Sequence, residues 1–289
     1  MATFLSKSVL LHLRFPFSLM LLPVYLFALS TAQNINNSHA LLVFIILHLF
    51  IYPASNGYNS YFDKDEGSIA LIKTPPKVDR SLYITSITLE WFGTLLAFLV
   101  SWQFALCVLV YNLLSKAYSH PSTRLKKYPI ISFLVVFVFQ GGFIYLTCFY
   151  AFHQFFIGFS ADAWLAALIC SCLIGASYPL TQVYQHAEDS KRGDKTLSLL
   201  LGIKGSFIFS GLVFFLGISL MFIYWNNHQN LFNFWVFLLF CTPVLAYFIW
   251  WFSQVLKNYA EANFKNTMQM TLISSGVMLS YFLWLWLKN

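Results

Sequence analysis

Two short stretches of this 289-residue chain concentrate amide, hydroxyl and carboxylate oxygens. The first is Tyr52-Pro53-Ala54-Ser55-Asn56-Gly57-Tyr58-Asn59-Ser60-Tyr61-Phe62-Asp63. The second is Tyr178-Pro179-Leu180-Thr181-Gln182-Val183-Tyr184-Gln185-His186-Ala187-Glu188-Asp189. They align without a gap at one offset of 126 residues. Tyr, Pro, Tyr and Asp are identical, Asn56 matches Gln182, and Asn59 matches Gln185. Gly67 and Gly193 fall at the same offset. Positions 52, 56, 59 and 63 are spaced i, i+4, i+7 and i+11, one face of a helix, and 178, 182, 185 and 189 repeat that spacing. Each stretch is therefore expected to show a stripe of Tyr, amide, amide and carboxylate. Oxygen-only ligand sets suit a hard cation, and Mg²⁺ typically takes one or two carboxylates plus phosphate oxygens of a substrate. Two such stripes beside many Lys and Arg point to a diphosphate held through metal ions.

The elements that must position these stripes are read from the rest of the chain. Hydrophobic residues make up 59% of it, charged residues only 9%, and there are 32 Phe. Soluble domains carry about 25% charged residues, so a water-soluble fold and a disordered chain are both excluded. The reading is an all-α, polytopic membrane protein forming a single domain over residues 1–289. Apolar blocks at roughly 15–32, 38–55, 82–100, 103–116, 130–150, 163–183, 206–225, 232–254 and 269–287 predict nine transmembrane helices. The first block also has signal-peptide character, with Ser30-Thr31-Ala32 as a cleavage site. A retained helix is preferred, because the charge distribution works with nine spans.

With the N-terminus in the cytoplasm and alternating spans, 16 of the 17 Lys and Arg residues fall on the inner side, Lys288 being the exception. Such a bias is the positive-inside rule. It places both acidic stretches on the cytoplasmic side of a multi-pass protein, expected in a cell inner membrane. The net charge of +7 is scattered between apolar spans, which matches a lipid bilayer surface rather than nucleic acid. The five cysteines lie in apolar runs without CxxC or zinc spacing, as small buried hydrophobes. No Walker loop, GxGxxG or HExxH is present. Glu90 lies inside the third span. An acidic residue at membrane depth is functional by default, as a base towards an acceptor or the partner of a lysine.

These residues resemble the UbiA superfamily of intramembrane prenyltransferases, which has Asn-x-x-x-Asp-x-x-x-Asp after its second helix and Asp-x-x-x-Asp after its sixth. Asn59 to Gly67 looks like the first motif. Gln185 to Leu197 looks like the second with its Gly-Asp-x-Thr-Leu continuation. Tyr118-Ser119-His120-Pro121 with Arg124-Leu125-Lys126 is similar to the family's loop after helix four. The resemblance covers roughly residues 14–287. It departs at Gly67 and Gln185, each standing where the family has an Asp. Asp65, Glu66 and Glu188 are adjacent carboxylates, and Asp194 lies further on, so one metal ion or two stays open.

The resemblance implies Mg²⁺-dependent transfer of an isoprenoid chain from a polyprenyl diphosphate to an aromatic, quinone-precursor-like or other lipophilic acceptor. It implies metal ligands among Asn59, Asp63, Gln185, Glu188, Asp189 and Asp194. Diphosphate ligands are expected among Lys64, Arg124, Lys126, Lys191 and Arg192, with Asp63, Asp189 and Lys126 catalytic. Cavity residues are expected among Asn56, Tyr58, Tyr61, Tyr184 and Glu90, in a polar cavity between the ends of helices two and six. The other readings are an intramembrane terpene cyclase with the same site, and a non-enzymatic relative or small transporter with a repeat. No oligomeric state is implied.

Overall fold

The computed structural model describes residues 6–32, 35–153 and 160–288. Among these, seven helices are long and apolar enough to cross a membrane. They are α1 (Lys7–Thr31), α2 (Asn37–Asp63), α5 (Pro129–Phe152), α6 (Ala161–Gln182), α7 (Leu197–Asn227), α8 (Leu231–Lys257) and α9 (Phe264–Lys288). Between α2 and α5 stand α3 (Arg80–Ala97) and α4 (Trp102–Ser119), 18 residues each. At 1.5 Å per residue these two reach about 27 Å. They are less apolar because α3 carries Thr85, Ser86, Glu90 and Thr94, and α4 carries Asn112, Ser115 and Lys116. The nine helices fall on the nine predicted blocks. Three extend well beyond them: α1 starts at Lys7, α2 runs on through its polar stripe to Asp63, and α7 starts at Leu197.

The chain sorts into two compact units. The first holds the opening part of α1, all of α2, α3 and α4, and the end of α5. Its core at the acidic end of α2 is Val9, Leu13 and Leu82, with Phe15, Tyr61, Val78 and Leu89 against it. Ser18 and His48 clasp α1 to α2: Ser18 Oγ donates to the His48 carbonyl at 3.0 Å, and His48 Nδ1 meets the Ser18 carbonyl at 2.9 Å. His48 lies in a π-helical stretch of α2, Ile46–Ile51. Helix α3 is amphipathic in the inverse sense. It buries Ser81, Thr85, Ser86, Glu90, Gly93 and Thr94, while Trp91, Leu95 and Leu99 are 56%, 63% and 66% exposed. That is the arrangement of a helix whose outer solvent is lipid and whose inner neighbours are polar. The loop from Lys64 to Asp79 is pinned back on α1, with His12 Nε2 2.8 Å from the Pro76 carbonyl and Ser8 Oγ donating to Lys77 O at 3.0 Å. Asp79 then caps α3 by accepting from the Ser81 N–H at 2.9 Å.

The second unit holds the end of α1, most of α5, and α6 through α9. Its core gathers Leu180, Val183, Phe207, Val244, Trp251, Val255 and Met270. Lipid tails are as apolar as the side chains, so close backbone contact replaces the hydrophobic drive between helices. A Cβ on Gly141 of α5 would lie 2.4 Å from the Ser171 Cα of α6, and Ser171 Oγ accepts from the Gly142 N–H at 2.9 Å. Phe27 of α1 is fully buried against the rings of Tyr145, Tyr224 and Phe282, so this segment is part of the folded core. Lys288, the basic residue that stands apart in the charge pattern, donates to Asn233 Oδ1 at 2.7 Å and lies over the rings of Phe232 and Trp284.

Candidate functional site

In the first unit, α2 is α-helical from Tyr52 to Asp63, with Pro53 in its first turn directly after the π stretch. A proline there gives up an N–H that has little use. The stripe Tyr52, Asn56, Asn59 and Asp63 therefore does lie on one helix face. Asp63 ends it. Its carboxylate is 7% exposed and paired with the ammonium of Lys126, and Arg124 Nη2 stands 3.8 Å away. A turn after α4 delivers both cations: Arg124 N–H donates to the His120 carbonyl at 2.7 Å, Arg124 takes a φ of 38°, and the 3₁₀ turn Leu125–Lys127 follows. Lys64 ends the helix at φ 50°. Non-glycine residues in this left-handed region cost about 1 kcal/mol each. Two of them flanking one carboxylate mark a place where surrounding structure holds the backbone against its preference.

One turn back, Asn59 Oδ1 accepts from Ser119 Oγ at 2.7 Å. Asn56 is used differently. Its side-chain amide donates to the Leu13 carbonyl at 3.4 Å and its backbone carbonyl accepts from Arg14 Nη2 at 3.5 Å, so it ties α1 to α2. Tyr58 and Tyr61 sit in an aromatic group with Phe62 and Tyr83, ring centroids 4.8 to 6.1 Å apart. Glu90 pairs with Lys116 at 2.6 Å, and Lys64 is exposed.

In the second unit the repeated stretch is built otherwise. The expectation of one continuous helix face from Tyr178 to Asp189 does not hold. Helix α6 tightens into a 3₁₀ turn at Pro179–Gln182, the chain turns through Val183 to Gln185, and a separate short helix runs from His186 to Arg192. Pro179 follows regular α-helix rather than a wide π turn, so its missing N–H and its ring break the ladder. Gln182 ends on α6, buried, and its Oε1 accepts from the Ser198 N–H at 3.4 Å. The Gln185 carbonyl accepts from the Glu188 and Asp189 N–H groups, each at 2.9 Å.

Glu188 pairs with Arg192 one turn on, and Thr196 Oγ1 reaches Asp189 Oδ2 at 3.5 Å. Gly193, at φ 74°, turns the chain so that the Asp194 N–H donates to the Asp189 carbonyl at 3.0 Å, and Asp194 is buried. His186 Nε2 meets Ser198 Oγ at 2.7 Å, and burial lowers its pKa. Tyr184 packs on Phe264 at 5.4 Å, and Lys191 is exposed.

Sequence reasoning missed Ser119, Tyr83 and Lys116 as members of the first site. Ser119 lies inside the quoted loop motif, so it could have been found. Tyr83 and Lys116 carry no local signal, because their partners are on other helices.

The fold and sites define an integral membrane helical protein with a buried carboxylate set among cations at the end of a membrane-spanning helix. A model of the UbiA prenyltransferase family matches residues 20–275, and the chain belongs to that family. A UbiA homologue from Archaeoglobus fulgidus bound to GPP and Mg²⁺ is similar over 96% of this chain and 99% of that one, with a TM-score of 0.69 and 17% identity. The same homologue bound to DMAPP and Mg²⁺ covers the same shares at TM-score 0.66 and 17% identity. Digeranylgeranylglyceryl phosphate synthase is similar over 98% of this chain and 99% of that one, with TM-score 0.61 and 18% identity. These likenesses establish the fold. No curated protein matches the chain.

Proposed function

We propose that this protein transfers an isoprenoid chain from a prenyl diphosphate to a lipophilic, aromatic or quinone-precursor-like acceptor, in a Mg²⁺-dependent reaction at the cytoplasmic side of its membrane. The observation that carries the reading is Asp63. It is a buried carboxylate one turn from Asn59, with Lys126 and Arg124 upon it. A site offering a carboxylate, an amide oxygen and two cations suits a ligand that carries both signs, an anionic diphosphate with its metal counterion. The archaeal homologue's complexes with GPP and Mg²⁺ support the same ligand pair.

The donor chemistry fits Mg²⁺. Asn59 and Asp63 supply oxygens, and so do Asp189, Glu188, Gln185 and Asp194 from the second motif. Among the described residues no three His, Cys, Asp or Glu side chains gather into a cage. Mg²⁺ is usually held by one or two carboxylates and substrate phosphate. When bound, the ion supplies Lewis-acid neutralisation of the diphosphate.

The chain's own groups do the rest. Lys126 and Arg124, with Lys64 as a further ligand, stabilise negative charge as the C1–O bond of the prenyl diphosphate breaks and its electron pair leaves with the diphosphate. The rings of Tyr58 and Tyr61 are those we assign to shielding the allylic cation. The surrounding helices keep water from it.

The test is diphosphate release by the purified chain in nanodiscs from geranyl and longer prenyl diphosphates, with and without Mg²⁺ and with a lipid extract as acceptor source. Mg²⁺-dependent release with a prenylated lipid product is expected. Release with a cyclic hydrocarbon product would reassign the chain as a cyclase. No release and no Mg²⁺-dependent binding would remove the catalytic reading.

A further inference from the structure

The first unit holds a polar seam that leads inward from the proposed diphosphate site. It begins at Asp63 with Lys126, and its next rung is Asn59 with Ser119. Ser55 and Ser115 follow, Oγ to Oγ at 2.6 Å. Beside that rung Lys116 Nζ reaches Glu90 Oε1 at 2.6 Å, and one turn further Asn112 Nδ2 donates to Thr94 Oγ1 at 3.0 Å. On α2 the residues are Asp63, Asn59 and Ser55; on α4 they are Ser119, Lys116, Ser115 and Asn112. Both sets follow a three-to-four residue step, one face of each helix. From Asp63 to Ser55 the seam descends about 12 Å along the helix axis. The inverted face of α3 closes it with Glu90 and Thr94.

Polar groups at that depth are costly, and an isoprenoid tail gains nothing from them. A second substrate with a polar reacting atom does. Glu90 is suited to it. Its side chain is 12% exposed, one oxygen is held by Lys116, and Oε2 takes no hydrogen bond from any described residue. Lys116 and Glu90 cancel each other's charge, so the pair offers no net attraction to a carboxylate or an amine. It offers an acceptor oxygen to a neutral hydroxyl.

We propose that Glu90, oriented by Lys116, binds the hydroxyl of a neutral lipophilic acceptor and takes the proton that acceptor loses on prenylation. The proposal rests on the prenyl-transfer reading above. In the step, the C1–O bond of the prenyl diphosphate breaks and its electron pair leaves on the diphosphate. The acceptor oxygen, or the ring carbon it activates, gives an electron pair to C1 and forms the new bond. The acceptor's proton moves to Glu90 Oε2, which later returns it to water. A carboxylate in this place acts as general base, typically a factor of 10² to 10⁴.

The experiment uses the full chain in nanodiscs with labelled geranyl diphosphate, Mg²⁺ and a total membrane lipid extract. Binding of geranyl diphosphate and transfer into lipid are measured separately. Glu90→Gln should lose transfer in kcat by at least 100-fold with the geranyl diphosphate Kd changed less than threefold. Glu90→Asp should recover part of the rate. A merely structural ion pair makes a different demand: the double variant Glu90→Gln with Lys116→Met, which removes the buried charge left behind, would then restore both folding and transfer. Transfer by Glu90→Gln at the wild-type rate, or full recovery in the double variant, overturns the proposal. Wild-type binding without transfer overturns it and leaves the diphosphate site standing. Neither binding nor transfer in the wild type overturns the prenyl-transfer reading itself.

Discussion

Ser119 donates its hydroxyl proton to Asn59 Oδ1 across 2.7 Å, joining the end of α4 to the acidic end of α2. The bond fixes which way the Asn59 amide faces, and so where its oxygen is offered to a ligand. Ser119→Ala removes a donor worth about 1 kcal/mol. The expected outcome is a 3- to 10-fold rise in KM for prenyl diphosphate with kcat little changed. Steady-state kinetics check it, and an unchanged KM would detach Ser119 from the site.

Asp63 should be indispensable for a reason separable from folding. Asp63→Ala leaves Lys126 and Arg124 without their carboxylate, which costs stability as well as turnover. Turnover is expected to fall by at least 100-fold. In the double variant Asp63→Ala with Lys126→Met the thermal midpoint should recover while turnover does not. Asp189→Ala should lose turnover to a similar degree, and near-normal turnover would remove Asp189 from the machinery. Lys126→Ala alone should act mainly on diphosphate affinity, read as a raised KM.

Lys64 closes α2 in the left-handed conformation at φ 50°. Glycine takes that conformation without the Cβ penalty. Lys64→Gly should therefore stabilise the chain by about 1 kcal/mol while lowering diphosphate affinity. Thermal unfolding and a binding isotherm on one preparation test both signs. A gain in stability with unchanged affinity would confine Lys64 to the cap.

His186 gives a pH dependence. Burial holds its imidazole below the usual value of 6.5, so the ring is neutral at pH 7 and shares a neutral hydrogen bond with Ser198. Acid favours the unfolded chain, which takes up the proton more readily. The stability is thus present above pH 6.5 and drains as pH falls through and below that value. The thermal midpoint should drop between pH 7 and pH 5, and His186→Gln should flatten part of that slope. An identical slope in the variant would show that other groups set it.

Much of this was legible in the residues, and the failures have physical causes. Each of the nine apolar blocks lies in a helix among the described residues, and seven of those helices are long and apolar enough to cross about 30 Å of hydrocarbon. The end of α2 was missed by eight residues because Ser55, Asn56, Asn59 and Ser60 are polar. Ser55, Asn56 and Asn59 stay helical because their side chains find hydrogen-bond partners on neighbouring helices. The stripe geometry was right for Asn59 and Asp63 and wrong for Gln185 and Asp189. The same Tyr-Pro pair follows a π turn in one copy and regular α-helix in the other, and spacing alone does not reveal which. The Asp63 pairing with Lys126 spans 63 residues of sequence, and only the loop motif hinted at it. Glu90 stood out through its charge at depth, whereas Lys116 looked like another basic residue near a helix end.

The π stretch Ile46–Ile51 has a consequence for how this chain tolerates change. A π turn carries a surplus residue relative to an α turn. Deleting one residue there would let the turn close as regular α-helix while Tyr52 to Asp63 kept their facing, because the surplus residue adds no rotation. The same deletion inside the regular stretch Tyr52–Asp63 would swing the residues after it by about 100°. Asp63 would then lose Lys126, although neither residue of the pair had been altered. The irregular turn is thus a place where α2 absorbs a change of length, and the regular turn after it is not.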